Sequence, residues 1–354
     1  MNIAEIAKMA GVSSAAVSRY FNNGYISEEK REAIRKAVEE TGYRPSLQAQ
    51  TLRTKKTKMI GVILPKINLA AMGSMVAGIL SVLNKNGYQL LLADTQNNTE
   101  KELEYLSIFN DKQVDGVIFS ATVVASAHKR ALKDMTVPVV IIGQRLPGYH
   151  CVYHDDYHAI YDMTRLLLEK GRKNLGYIGV LMQDEAAGKE RHRGYRDAVV
   201  EGMPDSENKT EGQESAGPGH MEKHMEEHYV IADFTIESGY EKAKELWEKC
   251  PGLDGLVCAT DSIAIGAMQY LKSQGIQIPG QVMVAGHGDS SLSKVTTPTL
   301  TTIHYSYEEC GEAAANMLMG LVDKKDSAMK EIQMGYFLVE NQSTEMDCVK
   351  KDVE

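Results

Sequence analysis

Ser14, Ala15, Ser18 and Arg19 fall on one side of a short helix-compatible run, Gly11-Val12-Ser13-Ser14-Ala15-Ala16-Val17-Ser18-Arg19. Together they offer the chemistry of a base reader. An arginine can make two hydrogen bonds to one guanine edge in the major groove of DNA. Val17 and Phe21 lie on the opposite side and are expected to pack inward. Ser13 stands where an N-cap belongs, its hydroxyl placed to accept an orphan amide of the helix. With Asn22, these residues (Ser13, Ser14, Ala15, Ser18, Arg19) make the expected DNA-contacting set. The element before them must position this helix. Ile3, Ile6, Ala7 and Ala10 recur at helical spacing, Ala7 is small enough for a close approach, and Gly11 suits a left-handed turn. The spacing is that of a helix-turn-helix; a hairpin within some larger helical domain is the bland alternative.

Ser27 is expected to cap a third helix, whose acidic first turn, Glu28-Glu29, matches the helix dipole. Ile34, Ala37 and Val38 form its buried stripe, and Gly42 supplies the stop. Charge supports contact with phosphate at this end only. Residues 1–58 hold 11 Lys+Arg against 6 Asp+Glu, whereas the remaining 296 hold 28 against 42. A basic head on an acidic body directs the head to nucleic acid. After Tyr43-Arg44-Pro45, residues 47–53 could form two helical turns, too short to be stable alone. Four of the six residues from Arg53 to Lys58 are basic, so DNA is the natural partner to order them.

The Gly-Val-Ser…Val-Ser-Arg run (11–19) and the Tyr-x-Pro…Leu-Arg linker (43–53) resemble the LacI/GalR family of bacterial transcription regulators. That resemblance implies a headpiece over 1–45 and a hinge helix and linker over 46–58. In the family the hinge enters the minor groove, which assigns Ala49, Leu52 and Arg53 to DNA, with Leu52 as the wedge between base steps. A disordered tether in the absence of DNA is compatible with the same reading.

Beyond residue 58, apolar runs of strand length (59–64, 88–93, 114–119, 137–142, 175–180, 229–232, 256–258 and 282–285) alternate with amphipathic stretches (75–84, 160–169, 239–248 and 263–272). Such alternation implies α/β architecture with parallel sheets covered on both faces, and ligands bound beyond the carboxyl ends of the strands. No apolar run approaches about 18 residues, so the reading is a soluble, cytoplasmic chain. Five scattered cysteines (Cys151, Cys250, Cys258, Cys310, Cys348) with no CxxC read as free thiols.

This body resembles the two-lobed, periplasmic-binding-protein-like sensor of the same family. The expected fold is therefore an all-α helix-turn-helix headpiece plus an α/β sensor over 59–340. The family topology implies one lobe from about 59–157 and 291–320, a second from about 158–290 and 321–340, and a polar tail over 341–354. Matching positions imply effector contacts at Arg191, Phe234 and Asp261, with Asn68 adding a hydroxyl contact. Asp261 could instead be the N-cap of its helix, with Ser262 as another capping candidate; Arg191 could be an exposed helix charge, and Phe234 a packing residue. Stretches such as Gly188-Lys189-Glu190-Arg191-His192 and Cys258-Ala259-Thr260-Asp261 look like the trehalose operon repressor type. That likeness implies trehalose 6-phosphate as effector, its phosphate clamped by Lys66, Lys189 and Arg191. Gln144 stands where an arginine is expected, with Arg145 one place late, so a neutral disaccharide such as sucrose or trehalose is the alternative.

Residues 203–228 are rich in Gly, Ser, Glu and His. His220, His224 and His228 are four apart, which on a helix would stack them as a metal-ligand row; an acidic surface excursion is the simpler reading, and neither metal nor cofactor is expected. The function so implied is a homodimeric repressor of a sugar-utilisation operon, bound to a near-palindromic operator and released by a sugar or sugar phosphate. Two other classes compete. A sugar-converting enzyme would draw on Asp155, Asp156, Asp261 and Asp289, but no spacing selects a pair and no P-loop or nucleophile elbow is present. A transport-type binding protein would have no use for the headpiece.

Overall fold

A computed structural model describes residues 1–22, 24–43, 56–120, 122–202, 227–325 and 328–345 of the 354. The headpiece consists of α1 (Ile3–Met9), α2 (Ser14–Phe21) and α3 (Glu28–Thr41). Their apolar stripes meet in a small core of Ile6, Ala7, Ala16, Val17, Ile26, Ile34 and Ala37. Asn2 and Glu5 form a reciprocal capping box at α1, and the Ser13 hydroxyl accepts from the Ala16 amide at 3.2 Å. Gly42 ends α3 in the left-handed region at φ 61°. Ser27 has the extended backbone of an N-cap, yet its side chain makes no capping bond.

The sensor contains two parallel sheets. The first is six-stranded, in the order β11 (Glu331–Met334), β5 (His150–His154), β4 (Val139–Ile142), β3 (Gly116–Phe119), β1 (Met59–Leu64) and β2 (Gln89–Asp94). Both faces are covered. Ile60, Val62 and Leu64 of β1 meet α4 (Ala70–Lys85) and α11 (Tyr307–Val322), while Ile63 meets Leu106 of α5 (Thr99–Ile108), Phe109, and Leu132 of α6 (Ser126–Lys133). Two-sided burial is why these strands read as unbroken apolar runs. The second sheet runs β7 (Tyr229–Ile231), β6 (Leu175–Gly179), β8 (Gly255–Cys258), β9 (Met283–Ala285). It is packed by α7 (Asp156–Glu169), α8 (Arg191–Gly202), α9 (Ile236–Lys249) and α10 (Asp261–Ser273) around a core that includes Tyr177 and Tyr195. An antiparallel pair, β10 (Thr302–His304) with β12 (Phe337–Val339), completes the framework.

Helices α4 and α11 approach too closely for side chains at the crossing. A Cβ on Gly78 would lie 1.9 Å from the Glu308 carbonyl oxygen, and one on Gly311 would lie 2.1 Å from that of Met75. The two glycines face reciprocal backbones, which draws α11 onto the first lobe.

The lobe assignment expected for the returning chain is therefore wrong in detail. Residues 291–320 were assigned to the first lobe and 321–340 to the second. Instead Leu300, Ile303 and Tyr305 belong to the second lobe's core. Residues from Tyr307 through β11 belong to the first, because β11 adds to the sheet beside β5 with Ile332 opposite Val152. The chain passes between lobes near 154–156, 305–307 and 334–337. The segment from Asn341 is no free tail either. Ser343 and Thr344 are fully buried: Ser343 Oγ donates to the Val284 carbonyl at 2.6 Å and accepts from the Thr301 amide at 2.8 Å. Strands β5 and β10 carry no sustained apolar run and are not among the strands read from the sequence; the C-terminal strand expected there is two, β11 in the first lobe and β12 beside β10. Among the described residues no helix is long and apolar enough to cross a membrane, and Cys151, Cys250, Cys258 and Cys310 are buried and unpaired with one another.

Candidate functional site

Helix α2, the expected DNA reader, is built as the spacing requires. Ala16 and Val17 are buried; Ser14, Ala15 and Arg19 are exposed, and Ser18 is half-buried. The Ser13 oxygen is engaged as a cap, which leaves its O–H to donate outward. Asn22 is exposed but its side-chain amide is tied to the Ser18 carbonyl. Ala49, Leu52 and Arg53 lie outside the described residues.

A cleft between the lobes gathers loops from both sheets. From the first lobe come Lys66, Asn97, Ser120 and Gln144; from the second come Asp156, Asp184, Arg191, Phe234, Asp261 and His287; Tyr305 lies in the connection after β10 and Tyr307 opens α11. At its centre lies a buried ion pair. Arg191 Nε donates to Asp156 Oδ1 at 2.7 Å, and Nη1 donates to the Ala259 carbonyl at 2.6 Å. Burial works against the guanidinium charge, and the Asp156 carboxylate overrides it, holding Arg191 above the ordinary arginine value. Arg191 is thus no exposed helix charge: the turn Glu185–Glu190 delivers it inward at the start of α8.

Asp261 is 2 % exposed. It is not the N-cap of α10; that position belongs to Thr260, whose hydroxyl accepts from the Ile263 amide at 3.3 Å, so Ser262 does not cap the helix either. The Asp261 carboxylate accepts from the Thr302 hydroxyl at 2.5 Å and the Ser290 amide at 2.6 Å. Each oxygen keeps lone-pair capacity for a ligand hydroxyl. Burial raises its pKa, against those hydrogen bonds. Phe234 is half-buried: it packs on the second lobe's core and lines the cleft.

The expected phosphate clamp does not assemble. Lys66 lines the cleft, but Lys189 points out to solvent, paired with Glu185 at 2.6 Å and absent from the lining. One helical turn accounts for this, since Lys189 and Arg191 cannot share a face two residues apart. Asn68 is exposed outside the lining. Gln144 is buried in the cleft wall, whereas Arg145 turns away to Glu331 at 2.8 Å.

Sequence reasoning did not assign Asp156, Asp184, His154, His287, Tyr305 or Tyr307 to the effector. They converge from the end of β5, the start of α7, the turn after strand 175–179, the loop after β9 and the connection after β10, which no local pattern brings together. Burial pushes Asp184 up to about 6, opposed by the amide of Ala187, which donates to it at 2.8 Å. Burial also lowers His154 to about 4 and His287 well below the usual histidine value.

The carboxylates considered for hydrolysis hold structural partners. Asp155 caps α7, Asp156 pairs Arg191, and Asp289 binds His304 at 2.8 Å. Of the histidine row, His228 bonds Asn174 at 2.9 Å; His220 and His224 lie outside the described residues. No group of three metal-ligating side chains occurs among the described residues.

Comparison with known proteins agrees with both parts. Residues 2–46 match bacterial regulatory proteins of the lacI family, and residues 164–344 match a periplasmic binding protein-like domain. The sucrose operon repressor of Staphylococcus xylosus is 31% identical over 322 residues, 91% of this chain and 93% of that protein. The transcriptional regulator RegA of Clostridium saccharobutylicum is 30% identical, covering 97% of this chain and 99% of its own. Among solved structures, the Lac repressor dimer bound to operator and the anti-inducer ONPF superposes with a TM-score of 0.84 at 19% identity, covering 97% and 99% of the two chains. A transcriptional regulator CelR–cellobiose complex does so at 0.70 and 24%, with the same coverage. The headpiece, the two-lobed sensor and these relatives together place the chain in the LacI family of bacterial transcription regulators.

Proposed function

We propose that the protein is a homodimeric transcriptional repressor released from a near-palindromic operator by a neutral saccharide. The observation that carries the effector is the charge of the cleft. Its lining holds two cations, Lys66 and Arg191, against three carboxylates, Asp156, Asp184 and Asp261, and Arg191 is already paired. A phosphate dianion entering there would face uncompensated carboxylates. A neutral sugar finds what it needs: Asp261 and Gln144 for hydroxyls, and the Phe234 ring for the apolar face of a pyranose. Relatives that include a sucrose operon repressor and a cellobiose-bound regulator support this over trehalose 6-phosphate.

The headpieces act where the operator is, in the cytoplasm, one on each half-site. Sugar contacts on both lobes favour the closed cleft, and closure moves the lobe nearest the hinge segment 46–58. Lys66, Gln144, Arg191, Phe234 and Asp261 are the proposed effector contacts, and Ser13, Ser14, Ala15, Ser18, Arg19, Asn22, Ala49, Leu52 and Arg53 the proposed DNA contacts. The test is operator release followed by fluorescence anisotropy with sucrose, cellobiose, trehalose and trehalose 6-phosphate, alongside thermal shift. Release and a raised melting temperature with an unphosphorylated sugar support the reading. Release by trehalose 6-phosphate alone overturns it.

A further inference from the structure

His154 and His287 line the cleft, with ring nitrogens that no other described residue satisfies. His287 is 3 % exposed, and among the described residues no other residue hydrogen-bonds its Nδ1 or Nε2; His154 is 5 % exposed, with Nε2 likewise unpartnered. The nearest carboxylate oxygen to His287, Asp156 Oδ1, is 3.8 Å away, beyond hydrogen-bonding range. A buried polar atom left unpaired is costly, because it has lost its water and gained no partner. Three such atoms on two side chains that line one cavity mark a place where a ligand can complete the bonds.

The two rings are also placed across the joint between the lobes. His154 ends β5 of the first lobe, His287 follows β9 of the second, and Tyr305, in the connection after β10, lies between them. His154 stacks on Tyr305 with ring centroids 4.2 Å apart, and His287 meets it edge-on at 4.7 Å. Tyr305 in turn donates to Asp156 at 3.4 Å. Both histidines line the same cavity as Asp261 and Phe234.

We propose that His154 and His287 are the residues that read the sugar's hydroxyl pattern across the hinge, one from each lobe. A neutral imidazole offers one donor and one acceptor, so the pair matches a ligand presenting hydroxyls in both roles. Burial disfavours the charged form of both rings; at His287 the Arg191 guanidinium adds to this, and at His154 the Asp156 carboxylate opposes it. A saccharide bonded to both rings is held by both lobes at once, and that coupling is what converts binding into closure. Arg191, Asp261 and Phe234 then supply contacts from the second lobe, while the histidine pair reports that both lobes are engaged.

This inference rests on the neutral-saccharide reading. Sucrose, cellobiose and trehalose are titrated calorimetrically into full-length wild type, His287→Phe, His154→Phe and His287→Gln. The phenylalanine variants should weaken the sugar that binds wild type about tenfold or more. Each removes unsatisfied buried nitrogen at similar volume, so the sugar-free melting temperature should hold or rise, where a structural histidine would give a fall. Glutamine, which again offers a donor and an acceptor, should recover part of the affinity. If wild type binds a sugar and the phenylalanine variants bind it equally well, or lose affinity only together with melting temperature, the histidine pair has no reading role. If wild type binds none of the three, the saccharide reading and this inference fall together.

Discussion

Replacing Asp156 by asparagine removes one charge from the centre of the cleft with almost no change of shape. Arg191, 9 % exposed, would keep its bond to the Ala259 carbonyl and lose its counter-ion. Two unit charges about 4 Å apart at an effective dielectric of about 20 attract by about 4 kcal/mol. Breaking a buried pair by removing one partner costs about 3–5 kcal/mol by the same reasoning, because the stranded charge stays desolvated. Asp156→Asn should therefore destabilise the second lobe by about 3–4 kcal/mol. Adding Arg191→Met removes the stranded cation and should return at least half of that loss, a strongly non-additive cycle. Trp247, the single tryptophan, sits on α9 of the same lobe, so urea unfolding followed by its fluorescence reports the event directly. A single-variant loss under about 1 kcal/mol, or a double variant equal to the sum of the singles, would refute the view that this pair is bound by its mutual charge.

Four further outcomes follow from the structure. Because burial lifts the folded Asp184 carboxyl to about 6 from 3.8, the folded state binds that proton more tightly and gains stability as pH falls through 6. Asp184→Asn, an equally good cap, should be the more stable protein at pH 7.5 by about 2 kcal/mol, with the difference shrinking by pH 4.5 in parallel melts; a constant difference contradicts the assignment. Gly311→Ala should lower the melting temperature although alanine is the better helix former by about 1 kcal/mol, because its Cβ collides with the Met75 carbonyl. Ser343→Ala should cost about 1–3 kcal/mol in urea unfolding by stranding the Thr301 amide and Val284 carbonyl, whereas a dispensable tail would give no change. Arg19→Ala should reduce the ratio of operator to scrambled-DNA affinity by about 1–3 kcal/mol, measured by anisotropy at fixed salt; an unchanged ratio removes Arg19 as a base reader.

The three headpiece helices were legible, apart from the Ser27 cap, because their determinants are local. The stripe of Ile3, Ile6 and Ala7, the Ser13 cap and the Gly42 stop all act within one or two turns. The core strands were legible for a related reason: burial on both faces leaves no polar residues to interrupt them. Edge elements were not. β11 reads exposed and half-buried in alternation, and its place beside β5 depends on 176 intervening residues.

The cleft divides along the same line. Asp261, Arg191 and Phe234 could be named from short motifs, since each sits at a strand-to-helix junction whose geometry is set locally. That Lys189 faces solvent while Arg191 meets Asp156 follows from the pitch of one turn packed against α7. That His154, Tyr305 and His287 share one floor follows from three chain crossings between the lobes. The sequence by itself determined a basic helix-turn-helix head, an α/β sensor and several of the residues that could hold an effector. Only the tertiary structure decided the sign of the cleft's charge and which polar atoms remain unsatisfied in it, because both are sums over side chains brought together from distant segments by packing.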